Sequence, residues 1–154
     1  MNWKKKVLII VGLIIITLQF IQPVHNKSTQ VLATDISKIY VFPDSVQKIL
    51  TVSCYDCHSN NTNYPWYFNI QPVGWILASH IKDGKNNLNF SEFGSYSTRK
   101  QANKLRAISS SVKDGSMPIS SYTLLHSDAK LSNHQKELIN SWAQNIRDSL
   151  MAKH

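Results

Sequence analysis

Five consecutive residues, Cys54-Tyr55-Asp56-Cys57-His58, constrain this chain more than any other stretch. Two thiols three positions apart lie within one turn of chain, and an imidazole follows at once. That is the attachment pattern for a c-type haem. Each thiol adds across one of two vinyl groups on one porphyrin edge: a sulfur–carbon bond forms, and the thiol proton goes to the neighbouring carbon. His58 is then placed under the iron as its proximal ligand. Cys54 and Cys57 are the chain's only cysteines, so neither has a competing partner elsewhere.

Other uses of the motif are weaker. A redox pair of the thioredoxin type sits in a βαβ context, and no such alternation is visible. Structural zinc wants four ligands, usually from a second C-x-x-C or a paired-histidine motif. His80, His126 and His134 are scattered and lack that spacing. A disulfide within so short a loop would be an unusual staple.

The N-terminus carries a second signal. Lys4, Lys5 and Lys6 precede an apolar run from Val7 to Ile21, broken only by Gly12, Thr17 and Gln19. A helix from Trp3 to about Val24 would just cross a bilayer core of ~30 Å. The same run suits the apolar region of a secretory signal, but Gln22-Pro23-Val24-His25-Asn26-Lys27 offers no small-residue cleavage site. An uncleaved single-pass transmembrane anchor over residues 1–24 is therefore expected. Either way the lysines stay in the cytoplasm and the remainder lies outside. For a bacterial chain that means a periplasmic domain held at the cytoplasmic membrane, on the face where c-type haem is attached. Residues 25–42 read as a polar tether and 43–150 as the haem-binding domain.

The formal charge of +8 comes from 17 basic and 9 acidic residues, and three of the basic ones are those N-terminal lysines. The rest are dispersed rather than clustered with aromatics, so a nucleic-acid partner is not expected. A mildly basic surface suits an acidic redox partner of unknown identity.

Helical periodicity runs through the domain. Pro43-Asp44 opens a short helix with Val46, Ile49 and Leu50 on one face, leading into Cys54. Val73, Ile76, Leu77 and Ile81 mark a second helix ending near Gly84. Thr98 to Gln101 fits a capping box for a third, with Ala102, Leu105, Ile108 and Val112 as its apolar stripe and Gly115 beyond its end. Ser132 to Gln135 opens a terminal helix carrying Leu138, Ile139, Trp142 and Ile146. No strand alternation is persuasive. The expected fold is all-α, a cytochrome c-like helical domain around one covalent haem, preceded by the transmembrane helix.

Several side chains are candidates for the rest of the site. Tyr64-Pro65-Trp66-Tyr67-Phe68 follows the motif closely, and Trp66 and Tyr67 are expected in the wall of the porphyrin pocket. Met117 stands just after a helix and is followed by Pro118, which holds it in an extended conformation. It is the only well-placed thioether and the candidate distal iron ligand, although a methionine also fills core gaps. His126 is the alternative distal ligand. His80 could serve there too, but reads better as a structural histidine. His25 reads as a solvated loop residue.

The chain also resembles the haem-binding domain family of small, membrane-anchored bacterial proteins. The resemblance runs from about Val46 to Trp142 and rests on Cys-Tyr-Asp-Cys-His-Ser (54–59), Tyr-Pro-Trp-Tyr (64–67), Pro-Val-Gly-Trp (72–75) and Asn-Phe-Ser (89–91). It continues through Met-Pro (117–118), Tyr122, His126, Ala129, Leu131-Ser132 and Trp142. It implies a c-type haem site carried by Cys54, Cys57 and His58, and supplies no partner or reaction. The expected function is one-electron relay by a monohaem cytochrome. The alternatives are a haem sensor or peroxidase-like enzyme with an open distal face, and a haem subunit of a larger respiratory assembly.

Overall fold

A computed structural model describes residues 2–28 and 30–152. Among them are eight α-helices and no strand, so the all-α expectation holds. The helices are α1 (Trp3–Leu18), α2 (Ile36–Ile39), α3 (Asp44–Ser53), α4 (Tyr55–His58), α5 (Val73–Asn87), α6 (Thr98–Asp114), α7 (Ser120–Leu125) and α8 (Asn133–Met151). Short 3₁₀ turns cover Trp66–Asn69, Phe90–Ser95 and Ser127–Ala129.

The α6–α8 pair is the backbone of the core. On α6, Ala102, Leu105, Ile108 and Val112 recur at helical spacing and are all buried. They face Ile139, Trp142 and Ala143 of α8. Ser109 hydrogen-bonds Asn140 across the same interface. Ser132 and Gln135 form the expected capping box at the start of α8. At α6 the cap lies one residue earlier than the sequence suggests: the Ser97 hydroxyl accepts from the Lys100 amide, and the Gln101 amide group donates to the Tyr96 carbonyl. Gly115 ends α6 in the left-handed region (φ 78°), which glycine enters without steric cost.

Helix α3 lays Val46, Ile49 and Leu50 against this core. Phe90 and Phe93 close it from the 3₁₀ segment after α5, and Ile36 of α2 is fully buried. Residues 25–42, read from sequence as a tether, thus supply core contacts. His25 is not simply solvated: its ring packs 4.7 Å from Tyr64 and 5.0 Å from Phe68, centroid to centroid.

Two helix ends differ from expectation. Helix α5 continues past Gly84 to Asn87. That glycine serves close approach rather than termination, because a Cβ there would lie 2.6 Å from the Cys57 carbonyl oxygen. Helix α1 stops at Leu18 rather than near Val24. Its 16 residues rise about 24 Å, and among the described residues no helix is long and apolar enough to cross a membrane. The cause is visible at Gln19 and Gln22. Gln19 accepts from the Gln71 amide at 2.9 Å, Gln22 accepts from the Gln71 side chain at 2.9 Å, and the Trp75 indole donates to the Ile21 carbonyl at 2.8 Å. Residues 19–22 are therefore strapped to the start of α5 instead of extending α1.

Gln71 is the centre of this strap. It is buried, and its side-chain oxygen accepts from the Trp75 amide at 3.1 Å, satisfying a free donor in the first turn of α5. Gln71→Ala is expected to cost about 1–2 kcal/mol, the usual worth of such a cap and its neighbouring bonds. Urea unfolding of the full chain in detergent, compared with wild type, measures it.

Candidate functional site

Cys54 lies between α3 and α4, and its backbone amide still bonds to Leu50. The core-packed α3 therefore fixes where the first thiol begins. Helix α4 is one turn long, and the amides of Cys57 and His58 both donate to the Cys54 carbonyl. That turn brings both sulfurs and the imidazole to one side. Helix α5 holds it from behind, since Gly84 lets the two backbones touch.

The His58 ring is fixed by a second contact. Its Nδ1 lies 3.0 Å from the Leu88 carbonyl oxygen. A carbonyl only accepts, so Nδ1 carries the proton and Nε2 keeps its lone pair. This is the carbonyl-oriented tautomer that metal-binding histidines use. Burial holds the imidazole below its ordinary pKa, against the opposing pull of the Leu88 and Gly84 carbonyls, and so keeps it neutral.

Both cysteines are free thiols. Burial, helped by Cys57, pushes Cys54 up to about 12; burial, helped by Asp56, pushes Cys57 up to about 11. Such thiols are protonated at neutral pH, unlike the thiolates of redox C-x-x-C sites. Among the described residues no group of three or more His, Cys, Asp or Glu side chains could hold a metal ion. The zinc reading therefore lacks a donor set.

In front of the motif opens a cavity of about 420 Å³. Cys54, Cys57 and His58 line it together with Ile108, Ser111 and Val112 of α6; Leu88 and Phe90 add apolar surface. Met117, Pro118, Ile119 and Tyr122 complete it. Met117 is thus brought to the same cavity as the motif, and 39% of its surface remains exposed. Its amide donates to the Ser111 carbonyl, which ties it to the end of α6. A mainly apolar space, a free imidazole lone pair, two thiols and a thioether in the lining are compatible with haem.

Other expected residues fall elsewhere. Trp66 is 77% exposed, and neither it nor Tyr67 lines the cavity. His126 also stands outside, stacked behind Tyr122 at 4.2 Å and within 3.3 Å of the Tyr67 hydroxyl. Tyr122, on which His126 stacks, lines the cavity, and His126 does not. His80 does line it.

Tyr122 has a role the sequence did not suggest. Its hydroxyl donates to Asp56 Oδ2 at 2.8 Å, inside the C-x-x-C-H motif itself. The segment bearing Met117 is thereby pinned to the segment bearing the cysteines. Burial first, and the neighbouring Asp56 carboxylate second, raise the phenol's pKa and keep it a donor. Leu88, Lys104 and Ser111 were likewise missed, since nothing in their local pattern marks them as facing a cavity.

Gly84→Ala would force the Cys57 carbonyl away from α5 and disturb the His58–Leu88 contact. The expected loss is about 1–3 kcal/mol, as for other overpacked contacts, with a lower yield of haem-loaded protein. Thermal unfolding and haem content of the purified chain test both.

Neither a characterised protein nor a solved structure matches the chain. The haem-binding domain family does, over residues 13–145. That span is longer than the motifs suggest and takes in the end of α1, the strap and residues 25–42. With the match covering most of its length, the chain belongs to the haem-binding domain family.

Proposed function

We propose that the protein is a monohaem c-type cytochrome, tethered to the bacterial cytoplasmic membrane with its domain in the periplasm, that relays single electrons. The observation that carries this reading is the convergence of Cys54, Cys57, His58 and Met117 on one cavity, with His58 Nδ1 already committed to Leu88. Bound there, haem would supply a one-electron iron couple. Cys54 and Cys57 would hold its vinyl edge as thioethers, and His58 would offer Nε2 to the iron. Met117, in the lining of the same cavity, would offer its sulfur, a ligand that raises the potential relative to a second histidine. Tyr122 and Ser111 hold the Met117 segment, and α6 excludes water from one face. The cytochrome c-like arrangement belongs to the same proposal.

The exposure of Met117 favours one second reading: a displaceable distal ligand that leaves the iron open to a small molecule. His80, half-buried in the same cavity, would then be the nearby acid or base.

The distal ligand is tested by spectroscopy on protein matured with c-type attachment machinery. The wild-type chain is expected to give a c-type pyridine haemochrome and a sulfur-to-iron charge-transfer band. Met117→Ala should lose the band and keep the haem. A wild-type spectrum that shifts readily with carbon monoxide or cyanide would favour the displaceable ligand.

The membrane tether rests on the order of charge and apolar surface in α1. Lys4 to Lys6 occupy the first turn of α1, ahead of its apolar run, and the helix has no buried residue. Phe20 and Ile21 extend its exposed apolar surface to the strap and supplement its short rise. The full chain is expected to stay with membranes through alkaline carbonate washing, and Ile10→Lys/Ile14→Lys to release it into the supernatant.

A further inference from the structure

We propose that Lys104 of α6, assisted by His80 of α5, forms a carboxylate-binding edge of the cavity that takes the propionates of haem. The assignment rests on the haem reading above and extends it to the polar rim. Haem carries two carboxylates on the side away from its vinyl groups, so a vinyl edge fixed at Cys54 and Cys57 directs the carboxylates to another part of the cavity. Among the cavity-lining residues, Lys104 is the only one with a permanent positive charge.

The other conspicuous donors are already used. His58 is bonded to Leu88 and Tyr122 to Asp56. Lys104 and His80 have no side-chain partner among the described residues, although both are half-buried. An ammonium held at an apolar wall without an anion is an incomplete arrangement, and a carboxylate completes it.

Their positions agree. On α5, Gly84 touches Cys57 and Leu88 touches His58, whereas His80 lies about one turn back, some 6 Å along the axis. On α6, Ser111 holds the Met117 amide, whereas Lys104 lies about two turns back, roughly 10 Å along the axis. His80 is therefore set back from Cys57 and Lys104 from Met117, while both still line the cavity. Asp83 is the one carboxylate in the cavity lining and opposes such binding, but it is solvent-exposed and screened. Lys104 is the less exposed of the two.

A cation on a propionate favours the reduced iron, which carries one positive charge fewer. Lys104→Met is therefore expected to lower the midpoint potential of the haem-loaded full chain, and Lys104→Glu to lower it further. Lys104→Arg should restore it. A nearby charge without contact would also move the potential, so the second readout is the propionate-bending band in resonance Raman spectra. That band should shift in Lys104→Met and return in Lys104→Arg. A haem-loaded Lys104→Met chain with either its potential or its band unchanged overturns the assignment. Should the wild-type chain show no haem after denaturation, the covalent reading falls first. That result is scored separately on the unmutated protein, and it overturns the Lys104 assignment with it, because the directed carboxylate edge depends on thioether attachment.

Discussion

The hydrogen bond between His58 Nδ1 and the Leu88 carbonyl is the contact on which the site's geometry depends. It decides which imidazole nitrogen is free and where that nitrogen points. The carbonyl belongs to the residue that caps α5, and one turn earlier Gly84 permits contact between α5 and the Cys57 backbone. A missing side chain thus lets α5 lie against the motif, and the end of that helix sets a tautomer. The strap through Gln71 acts at the other terminus of α5, so the helix that orients His58 is fixed at both ends.

The two walls of the cavity are built differently. The motif side is anchored by α3 in the core and α5 behind. The Met117 side follows the end of α6 and leads into the short, mostly exposed α7, held by one phenol-to-carboxylate hydrogen bond and the Ser111 carbonyl. Local opening free energies are lowest where buried contacts are fewest. Any opening of the site should therefore start at Met117 and α7, while the His58 wall stays in place.

Much of this architecture was legible in the sequence, and the limits are physical. The α6 and α8 stripes show because burial on one face imposes a 3.6-residue period on Leu105, Ile108, Val112, Ile139 and Trp142. Gly115 is readable as a helix end because it enters the left-handed region, whereas Gly84 looks the same in sequence and serves close packing. Trp66 and Tyr67 stand near the motif in sequence, but nearness in sequence does not decide which side chains border a cavity, and neither lines it. The length of the apolar N-terminal run is plain. What ends α1 is not, because the partners of Gln19 and Gln22 lie about fifty residues away. Lys104 is the hardest case: a lysine beside an amphipathic stripe looks solvated until another helix makes that flank a cavity rim.

Sharing of residues between core and cavity links the cofactor to the fold. Ile108 and Val112 belong to the buried cluster with Ile139 and Trp142, yet both also line the cavity. Phe90 is likewise in the cluster, stacks on Tyr55 at 5.0 Å and borders the same space. Filling that space removes apolar surface from water on residues whose other faces already support α6 and α8. A ligand that binds only the folded chain stabilises it in proportion to its affinity. Haem bound at this place would therefore act as part of the core, tightening the α3–α6–α8 packing from which the site itself is suspended.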